Sequence, residues 1–446
     1  MLITSSVKSW TPVKIEPDQV HECLSKHMLV DGFDLVADMV RSKGSKIFDS
    51  RNNRYFIDFF TFFASSPIGL NHPKLLTEEF KEKLLNVSIN KPTNSDVYTV
   101  EMAEFVETFS RIAIPDFMKY LFLIDGGTLG NENGLKTAFD WKIRKNFKKG
   151  YKEEKGNQVI HFTKAFHGRS GYTLSLTNTN PVKTQYFPKF KWPRITAPII
   201  EFPVDEMNIE KVKQLERIAV AEIKQAIIDN PDDIAVMIIE PIQGEGGDNH
   251  FRKEFFIELR TLCDENDILL MFDEVQTGIG LTGKMWAYEH FVKPDIFSFG
   301  KKSQVCGFLV SDKIDEIEDN VFHVSSRINS TWGGNLTDMV RFEKYLEVIE
   351  EENLVQSASV TGAYLLNKLI ELQNEFPNKV KNARGLGLMC AFDFSTSEEK
   401  DIFRKKCYDN GLIILCCGEC AVRFRPALNI TKEEIDEGID IIRKSL

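Results

Sequence analysis

A series of short apolar runs, separated by longer stretches of helical period, is the main pattern along the chain. Each run is four to six residues long and predicts a buried strand. Between the runs, helical spacing predicts one helix from residue 129 to about 145 and another that ends near residue 229. The predicted strands are residues 120–124, 159–162, 234–239, 268–272 and 296–299.

Two of these runs end on residues that can do chemistry. Asp273 and Glu274 follow the strand at 268–272, and Gly300, Lys301 and Lys302 follow the strand at 296–299. Open α/β sheets bind ligands at the carboxyl ends of their strands, so these residues predict a pocket there. A lysine in such a pocket loses solvation, which lowers its pKa and suits it to Schiff-base chemistry. The residues alone leave a second interpretation open, in which both pairs are solvated loop charges.

The strand at 120–124 leads through Asp125-Gly126-Gly127-Thr128 into the first predicted helix. This order favours phosphate binding, because the amides of a helix N-terminus point at an anion and glycine leaves room for it. Many turns of this kind only connect two elements, so the signal alone is weak. The turn lacks the Gly-x-Gly-x-x-Gly spacing, which argues against a dinucleotide enzyme.

The chain of 446 residues, 42% of them hydrophobic, is long enough for two domains with large cores. Two apolar runs around a turn at 49–53 predict a β-hairpin, and residues 180–207 are expected to form a long surface excursion. Helical periodicity extends from 338 to about 376. We expect an N-terminal arm with part of the small domain (1–65), a large domain (66–338) and a C-terminal small domain (339–446).

Composition narrows the possible functions. The formal net charge is −10 and the sequence pI is about 5.5, which argues against a nucleic-acid-binding surface. The first residues lack the apolar core of a signal peptide, and no later run approaches the length of a membrane span. We therefore expect a cytoplasmic protein without a membrane partner.

The eight cysteines fit the same interpretation. Cys263, Cys306 and Cys390 lie in apolar surroundings without the spacing of a disulfide framework, as buried free thiols do. Cys417 and Cys420 form a Cys-x-x-Cys pair, which in other proteins is a redox or zinc half-site. No second ligand pair with zinc-finger spacing appears in the sequence, so no metal is expected.

The strand ends belong to a longer pattern that resembles the signature of class III pyridoxal-phosphate (PLP) aminotransferases. The resemblance extends from about residue 60 to the C-terminus. It implies fold type I, an α/β fold whose large domain has a mostly parallel seven-stranded sheet and whose smaller domain is α+β. The residues that carry it are Phe272-Asp273-Glu274-Val275, Gly278, Asp295 and Gly300-Lys301.

The resemblance also implies how the cofactor, pyridoxal 5'-phosphate, is held. Lys301 would form the Schiff base with it, and Asp273 would face the pyridine nitrogen and keep it protonated. Gln276 would hydrogen-bond the ring hydroxyl oxygen. Lys302 competes with Lys301, but the Gly-Lys pattern of the family favours Lys301.

Four further residues are implied as cofactor ligands. Gly127 and Thr128 would bind the phosphate, and Phe166 would stack on the ring, since an aromatic face holds a planar heterocycle without blocking its reactive edge. Thr331 corresponds to a residue that reaches the phosphate of the neighbouring subunit. A contact of that kind implies a homodimer with two shared active sites.

Three residues are implied in substrate binding. Arg169 would bind the α-carboxylate of an ω-amino acid, because a guanidinium fork suits a carboxylate. Glu245 would pair with Arg423 when the amino donor binds and swing away for 2-oxoglutarate. Arg425 is the rival partner for Glu245, although the family motif places its arginine at Arg423.

Within the family, the run from Asp273 to Phe291 together with the run from Phe299 to Gly307 is most similar to members that act on the ε-amino group of L-lysine. The implied reaction is ping-pong transfer of that group to 2-oxoglutarate, which gives L-glutamate and 2-aminoadipate 6-semialdehyde. Aminotransferases of ornithine or 4-aminobutyrate are the nearest alternatives. A binding or regulatory protein without turnover is a remote one, because the lysine, the ring aspartate and the carboxylate clamps are all present.

Overall fold

The computed structural model describes residues 10–446. Its strands in chain order are β1 Ala37–Lys43, β2 Lys46–Asp49, β3 Arg54–Asp58, β4 Met118–Ile124, β5 Gln158–Phe162, β6 Arg194–Ile195, β7 Ile234–Ile239, β8 Leu269–Asp273, β9 Ile296–Phe299, β10 Cys306–Ser311, β11 Lys381–Leu386, β12 Met389–Asp393, β13 Leu412–Ile413, β14 Leu415–Cys417 and β15 Ala421–Phe424.

The helices in chain order are α1 Val20–Ser25, α2 Thr61–Ala64, α3 Glu78–Ile89, α4 Val100–Ile112, α5 Gly127–Lys148, α6 Thr173–Leu176, α7 Glu206–Asp229, α8 Lys253–Glu265, α9 Leu336–Glu351, α10 Leu354–Glu375, α11 Ser397–Asp409 and α12 Lys432–Ser445. Each of the five predicted strands and both predicted helices corresponds to one of these elements.

The central sheet has seven strands in the order β4-β10-β9-β8-β7-β5-β6. Only β10 runs antiparallel to its neighbours, so the predicted mostly parallel sheet is confirmed. Every residue of β7, β8 and β9 is buried, as expected for strands with both faces covered. Helix α5 packs against β7, β9 and β10, and α8 packs against β8.

Two smaller sheets combine the two ends of the chain. One has the order β1-β2-β3-β13, in which the predicted hairpin β2-β3 pairs in parallel with β13 through Leu412 and Ile57. The other is antiparallel, with the order β11-β12-β15-β14. The domain boundaries at 65/66 and 338/339 stay a prediction.

Two details of the prediction were wrong. The helical run expected over 338–376 is two helices, because Asn353 takes a left-handed conformation (φ 51°, ψ 42°) between α9 and α10. The expected surface excursion at 180–207 contains β6, which pairs with β5 and forms one edge of the central sheet. Among residues 10–446, no helix is long and apolar enough to cross a membrane.

Candidate active site

A cavity of about 190 Å³ lies at the carboxyl ends of β8 and β9. It brings together six of the residues that the sequence singled out, from five separate segments of the chain. Asn131, His167, Gly168, Glu240 and Val275 complete its wall. The predicted residues that line it are Gly127, Thr128, Phe166, Asp273, Gln276 and Lys301.

Asp273 is a buried carboxylate with a full set of donors. Its Oδ2 accepts hydrogen bonds of 2.8 Å from Nδ1 of His167 and from Nδ2 of Asn131, and its Oδ1 accepts one of 3.1 Å from the amide of Val275. Burial opposes ionisation, but these donors outweigh it and hold the pKa of Asp273 below its ordinary value. The site therefore keeps a fixed negative charge at the end of β8.

Sequence reasoning missed His167 and Asn131. The Nε2 of His167 is buried and has no hydrogen-bond partner in the structure. Asn131 also donates to the carbonyl of His167 at 2.9 Å, so the two residues brace each other against Asp273. His167 directly follows Phe166, and Asn131 lies one helical turn beyond Gly127, so proximity to predicted residues was the available signal.

The two adjacent lysines take different positions. Lys301 lines the cavity and has a left-handed backbone (φ 54°), a conformation that is unusual for a residue other than glycine. Burial, and next the positive charge of Arg423, lower the pKa of Lys301. Lys302 is buried outside the cavity wall, where its Nζ donates to the carbonyl of Gln276 at 2.7 Å.

The N-terminus of α5 opens onto the cavity through Gly127 and Thr128. No side chain caps this end of the helix, so its first amides are available to an anion. A Cβ on Gly127 would lie 2.8 Å from Cγ1 of Val275, and one on Gly168 would lie 2.4 Å from Oγ1 of Thr128. Glycine is therefore needed at both positions to keep the approach to these amides open.

Gln276 is oriented by a buried ion pair. Its Oε1 accepts hydrogen bonds from Nη2 and Nε of Arg425, at 3.1 and 3.3 Å, and the same guanidinium pairs with Asp248. Because Oε1 is occupied, the amide group of Gln276 is left to donate elsewhere. Arg425, the rival partner for Glu245, is thus committed to Asp248 and Gln276.

The ion pair expected between Glu245 and Arg423 is present. Oε2 of Glu245 lies 3.0 Å from Nη2 of Arg423, whose Nε and Nη1 are buried without hydrogen-bond partners. A second cation, Lys183, lies 2.5 Å from Oε1 of the same carboxylate, and the sequence did not indicate it. Burial raises the pKa of Glu245, but Arg423 and Lys183 outweigh this effect and lower it overall.

Glu240 connects two walls of the cavity at the end of β7. Its Oε1 accepts a hydrogen bond of 2.9 Å from the amide of Phe166, and its Oε2 accepts one of 3.1 Å from the amide of Gly244. Burial raises the pKa of Glu240 to about 7. Its side chain holds the Phe166 segment against the loop that carries Glu245.

Two predicted residues do not reach this cavity within the single chain. Arg169 is exposed and does not line the cavity. Thr331 is also exposed, and its carbonyl accepts a hydrogen bond of 3.3 Å from Ser95. Both residues lie at the surface of the protomer.

The cysteines form no disulfides. All eight are free, and Cys263, Cys390 and Cys417 are buried, which raises the pKa of each thiol above its ordinary range. Across the part of the chain that the structure describes, no group of three or more histidine, cysteine, aspartate or glutamate residues could hold a metal ion.

Comparison with known proteins identifies the family. The sequence profile described as aminotransferase class-III matches residues 30–446. The chain belongs to the class III aminotransferases. It is 51% identical to the L-lysine-epsilon aminotransferase of Mycobacterium tuberculosis, with 96% of each chain covered, and 45% identical to that of Amycolatopsis lactamdurans, with 98% of this chain and 97% of the relative covered.

A solved structure of lysine aminotransferase from M. tuberculosis is similar to this class III aminotransferase over its whole length. The TM-score is 0.95 at 51% identity, and the alignment covers 97% of this chain and 99% of the other. This likeness agrees with the fold type that the sequence pattern implied.

Class III aminotransferases use pyridoxal phosphate, and the cavity fits that group. Asp273 offers a fixed negative charge for the pyridinium nitrogen, and the uncapped N-terminus of α5 offers amides for the phosphate. Phe166 supplies an aromatic face, and Lys301 supplies a buried amine. The buried Nε2 of His167, without a partner, shows that the polar network behind Asp273 has a donor or acceptor still to be satisfied.

Proposed function

We propose that this aminotransferase transfers the ε-amino group of L-lysine to 2-oxoglutarate. The products are L-glutamate and 2-aminoadipate 6-semialdehyde, which cyclises to piperideine-6-carboxylate. The observation that carries the proposal is the Glu245–Arg423 ion pair beside the amine of Lys301, since a paired arginine that can be released serves two substrates of different charge. The lysine-specific names of the relatives at 45% and 51% identity support the choice of donor.

In this proposal each cofactor contact is made by a residue at the cavity. Lys301 would hold the cofactor aldehyde, and Asp273 would keep the ring nitrogen protonated. The phosphate would bind the amides of Gly127 and Thr128, and the ring would stack on Phe166. When bound, PLP supplies an electron sink for the pair left on the substrate carbon when its proton is removed.

Lys301 is the group that moves protons. Its lowered pKa favours a neutral amine, which can take a proton from the substrate carbon and return it at the next position. Asp273 acts only as a fixed charge, because its hydrogen bonds to His167 and Asn131 leave it ionised. Gln276, with Oε1 held by Arg425, presents its amide donor to the ring oxygen.

Glu245 and Arg423 would distinguish the two substrates. With Glu245 in place, the charge of Arg423 is neutralised and the site accepts the neutral chain of lysine. When Glu245 moves away, Arg423 is exposed to the second carboxylate of 2-oxoglutarate. Arg169 would bind the α-carboxylate of either substrate, and Thr331 would reach the cofactor phosphate of the neighbouring subunit, which makes the enzyme a homodimer with shared sites.

We also propose that the enzyme acts in the cytoplasm. Eight free thiols, with no disulfide among them, suit a reducing compartment.

The absorption spectrum of the cofactor-loaded enzyme tests this function. Adding L-lysine without an acceptor should convert the bound cofactor to its amine form, and adding 2-oxoglutarate should reverse the change. Initial rates should give the parallel lines of a ping-pong reaction.

The same experiment separates the alternatives. A spectrum that ignores L-lysine but responds to ornithine or 4-aminobutyrate would keep the mechanism and change the donor. A protein that binds PLP and responds to none of these amines would be a non-catalytic member of the family. A protein that does not bind PLP would overturn the proposal.

A further inference from the structure

Lys183 contacts the same carboxylate that neutralises Arg423. Its Nζ lies 2.5 Å from Oε1 of Glu245, while Oε2 lies 3.0 Å from Nη2 of Arg423, so two cations share the carboxylate through different oxygens. The ammonium of Lys183 is also 5.3 Å from the centroid of the Phe166 ring, within the range of a cation–π contact. Lys183 thus lies where the ring platform and the ion pair meet.

The backbone holds Lys183 in this place. It ends a short 3-10 turn, Pro181–Lys183, that begins with proline and is capped by the side chain of Asn180. Two residues before the cap, Nδ2 of Asn178 donates to the carbonyl of Phe162 at 3.0 Å, which ties the turn to the end of β5. The position of Lys183 therefore follows from the central sheet.

The backbone of Glu245 is fixed as well, so only its side chain is free to move. Its carbonyl accepts a hydrogen bond of 2.9 Å from the amide of Gly418, and a Cβ on Gly246 would lie 2.0 Å from the carbonyl oxygen of Lys164. The side chains of Glu245 and Lys183 are 27% and 24% exposed, whereas that of Arg423 is 4% exposed. The glutamate and the lysine have room to move together, and the arginine does not.

We propose that Lys183 is a positioning residue that keeps the Glu245 carboxylate paired when it leaves Arg423, and so favours the dicarboxylate acceptor. The inference rests on the proposed function, in which Glu245 must leave Arg423 in each catalytic cycle. The carboxylate would exchange a shared position between two cations for a position on Lys183 alone. Lys183 thereby determines how readily Arg423 becomes free.

The effect of Lys183 differs between the two states of Glu245. While Glu245 is on Arg423, loss of Lys183 removes one of two cations. After Glu245 has left Arg423, the same loss removes its remaining cation and leaves a half-buried carboxylate unpaired, which is the more costly change. Removing Lys183 should therefore weaken acceptor binding more than donor binding.

The test is K183M, which keeps the length of the side chain and removes its charge. We expect the KM for 2-oxoglutarate to rise roughly threefold to tenfold, as loss of a charge-assisted hydrogen bond predicts, with kcat and the KM for L-lysine within about twofold of wild type. K183R should restore the KM for 2-oxoglutarate. In an E245Q background, K183M should have no further effect, because the carboxylate that Lys183 holds is absent.

A binding measurement tests the same point without turnover. Glutarate has the two carboxylates of the acceptor but no keto group, so titration calorimetry of the cofactor-loaded enzyme gives its dissociation constant directly. K183M should raise that constant by the same factor. Lys189 is the matched control, because it lies in the same segment but donates only to the carbonyls of Thr184 and Phe187, and K189M should leave both values unchanged.

Three outcomes would overturn the inference. They are an equal change in the KM of both substrates, an unchanged dissociation constant for glutarate in K183M, and failure of K183R to restore binding. If the wild-type enzyme did not bind glutarate, the acceptor in the proposed function would be wrong together with the role of Lys183. A wild-type enzyme that binds glutarate no better than K183M does would overturn the role of Lys183 alone.

Discussion

At the scale of single residues, neighbours decide the charge of the buried acids around the cavity. Asp273, Glu240 and Glu274 are all almost completely buried. Asp273 faces His167 and stays ionised, with a lowered pKa. Glu240 and Glu274 have mainly amide and hydroxyl donors around them, and burial raises the pKa of each to about 7. The protein thus keeps one firm negative charge where the cofactor needs it.

The raised pKa of Glu274 predicts a pH-dependent stability. Between pH 4.5 and 7 the unfolded chain ionises Glu274 while the folded protein keeps it protonated, so its contribution to stability falls as pH rises. Wild type minus E274Q should therefore be larger at pH 5 than at pH 8, by about 2 to 3 kcal/mol. Chemical denaturation of both proteins at the two pH values measures this, and equal differences would show that Glu274 is ionised throughout.

The two lysines after β9 should respond differently to substitution. K301A removes the amine at the cavity, so we expect it to abolish both the absorbance band of the covalently bound cofactor and transamination. K302M replaces an amine that contacts only the carbonyl of Gln276 with an apolar chain of similar length, and the band should remain. An unchanged band in K301A, or its loss in K302M alone, would transfer the role to Lys302.

Residues at strand ends could be predicted from the sequence, whereas their partners could not. Asp273 and Lys301 follow apolar runs, and that local pattern placed them at one edge of the sheet. His167 and Asn131 lie 106 and 142 residues from Asp273 along the chain, and Lys183 lies 62 residues from Glu245. Contacts over such separations depend on how the elements pack, which apolar periodicity does not record.

At the scale of elements, the buried strands were the most predictable part of the fold. Strands β7 and β9 have the bounds that their apolar runs predicted, and the neighbouring strands differ by one or two residues. The division between α9 and α10 was missed because the helical spacing of apolar residues continues past it. What ends α9 is the left-handed conformation of Asn353, a property of one residue.

That conformation predicts the effect of two substitutions at Asn353. Alanine is strained in the left-handed region, so N353A should lower the free energy of unfolding by about 1 kcal/mol. N353G should be close to neutral, since glycine adopts the conformation without strain. Asn353 makes no side-chain capping bond, so the pair isolates the backbone effect in denaturant titrations. Equal stability of the two variants would contradict this account.

At the scale of the whole molecule, the chain brings its two ends into one sheet. Strand β13 pairs with β3 across more than 350 residues of sequence, and no local pattern predicts such a pairing. The central sheet was more accessible, because its connections follow the order of the apolar runs. The single chain leaves Arg169 and Thr331 at the surface, while the cavity that would use them lies within the protomer.

Shared active sites make a prediction that only the assembled enzyme can test. K301A lacks the cofactor-binding amine, and T331E would place a carboxylate where Thr331 is proposed to meet the partner's cofactor phosphate, so each variant alone should be almost inactive. In a hybrid dimer one site would carry both defects and the other neither. Unfolding and refolding an equal mixture should make half the dimers hybrid and restore about a quarter of the wild-type activity. A mixture that stays inactive, although wild type recovers after the same treatment, would mean that Thr331 serves its own subunit.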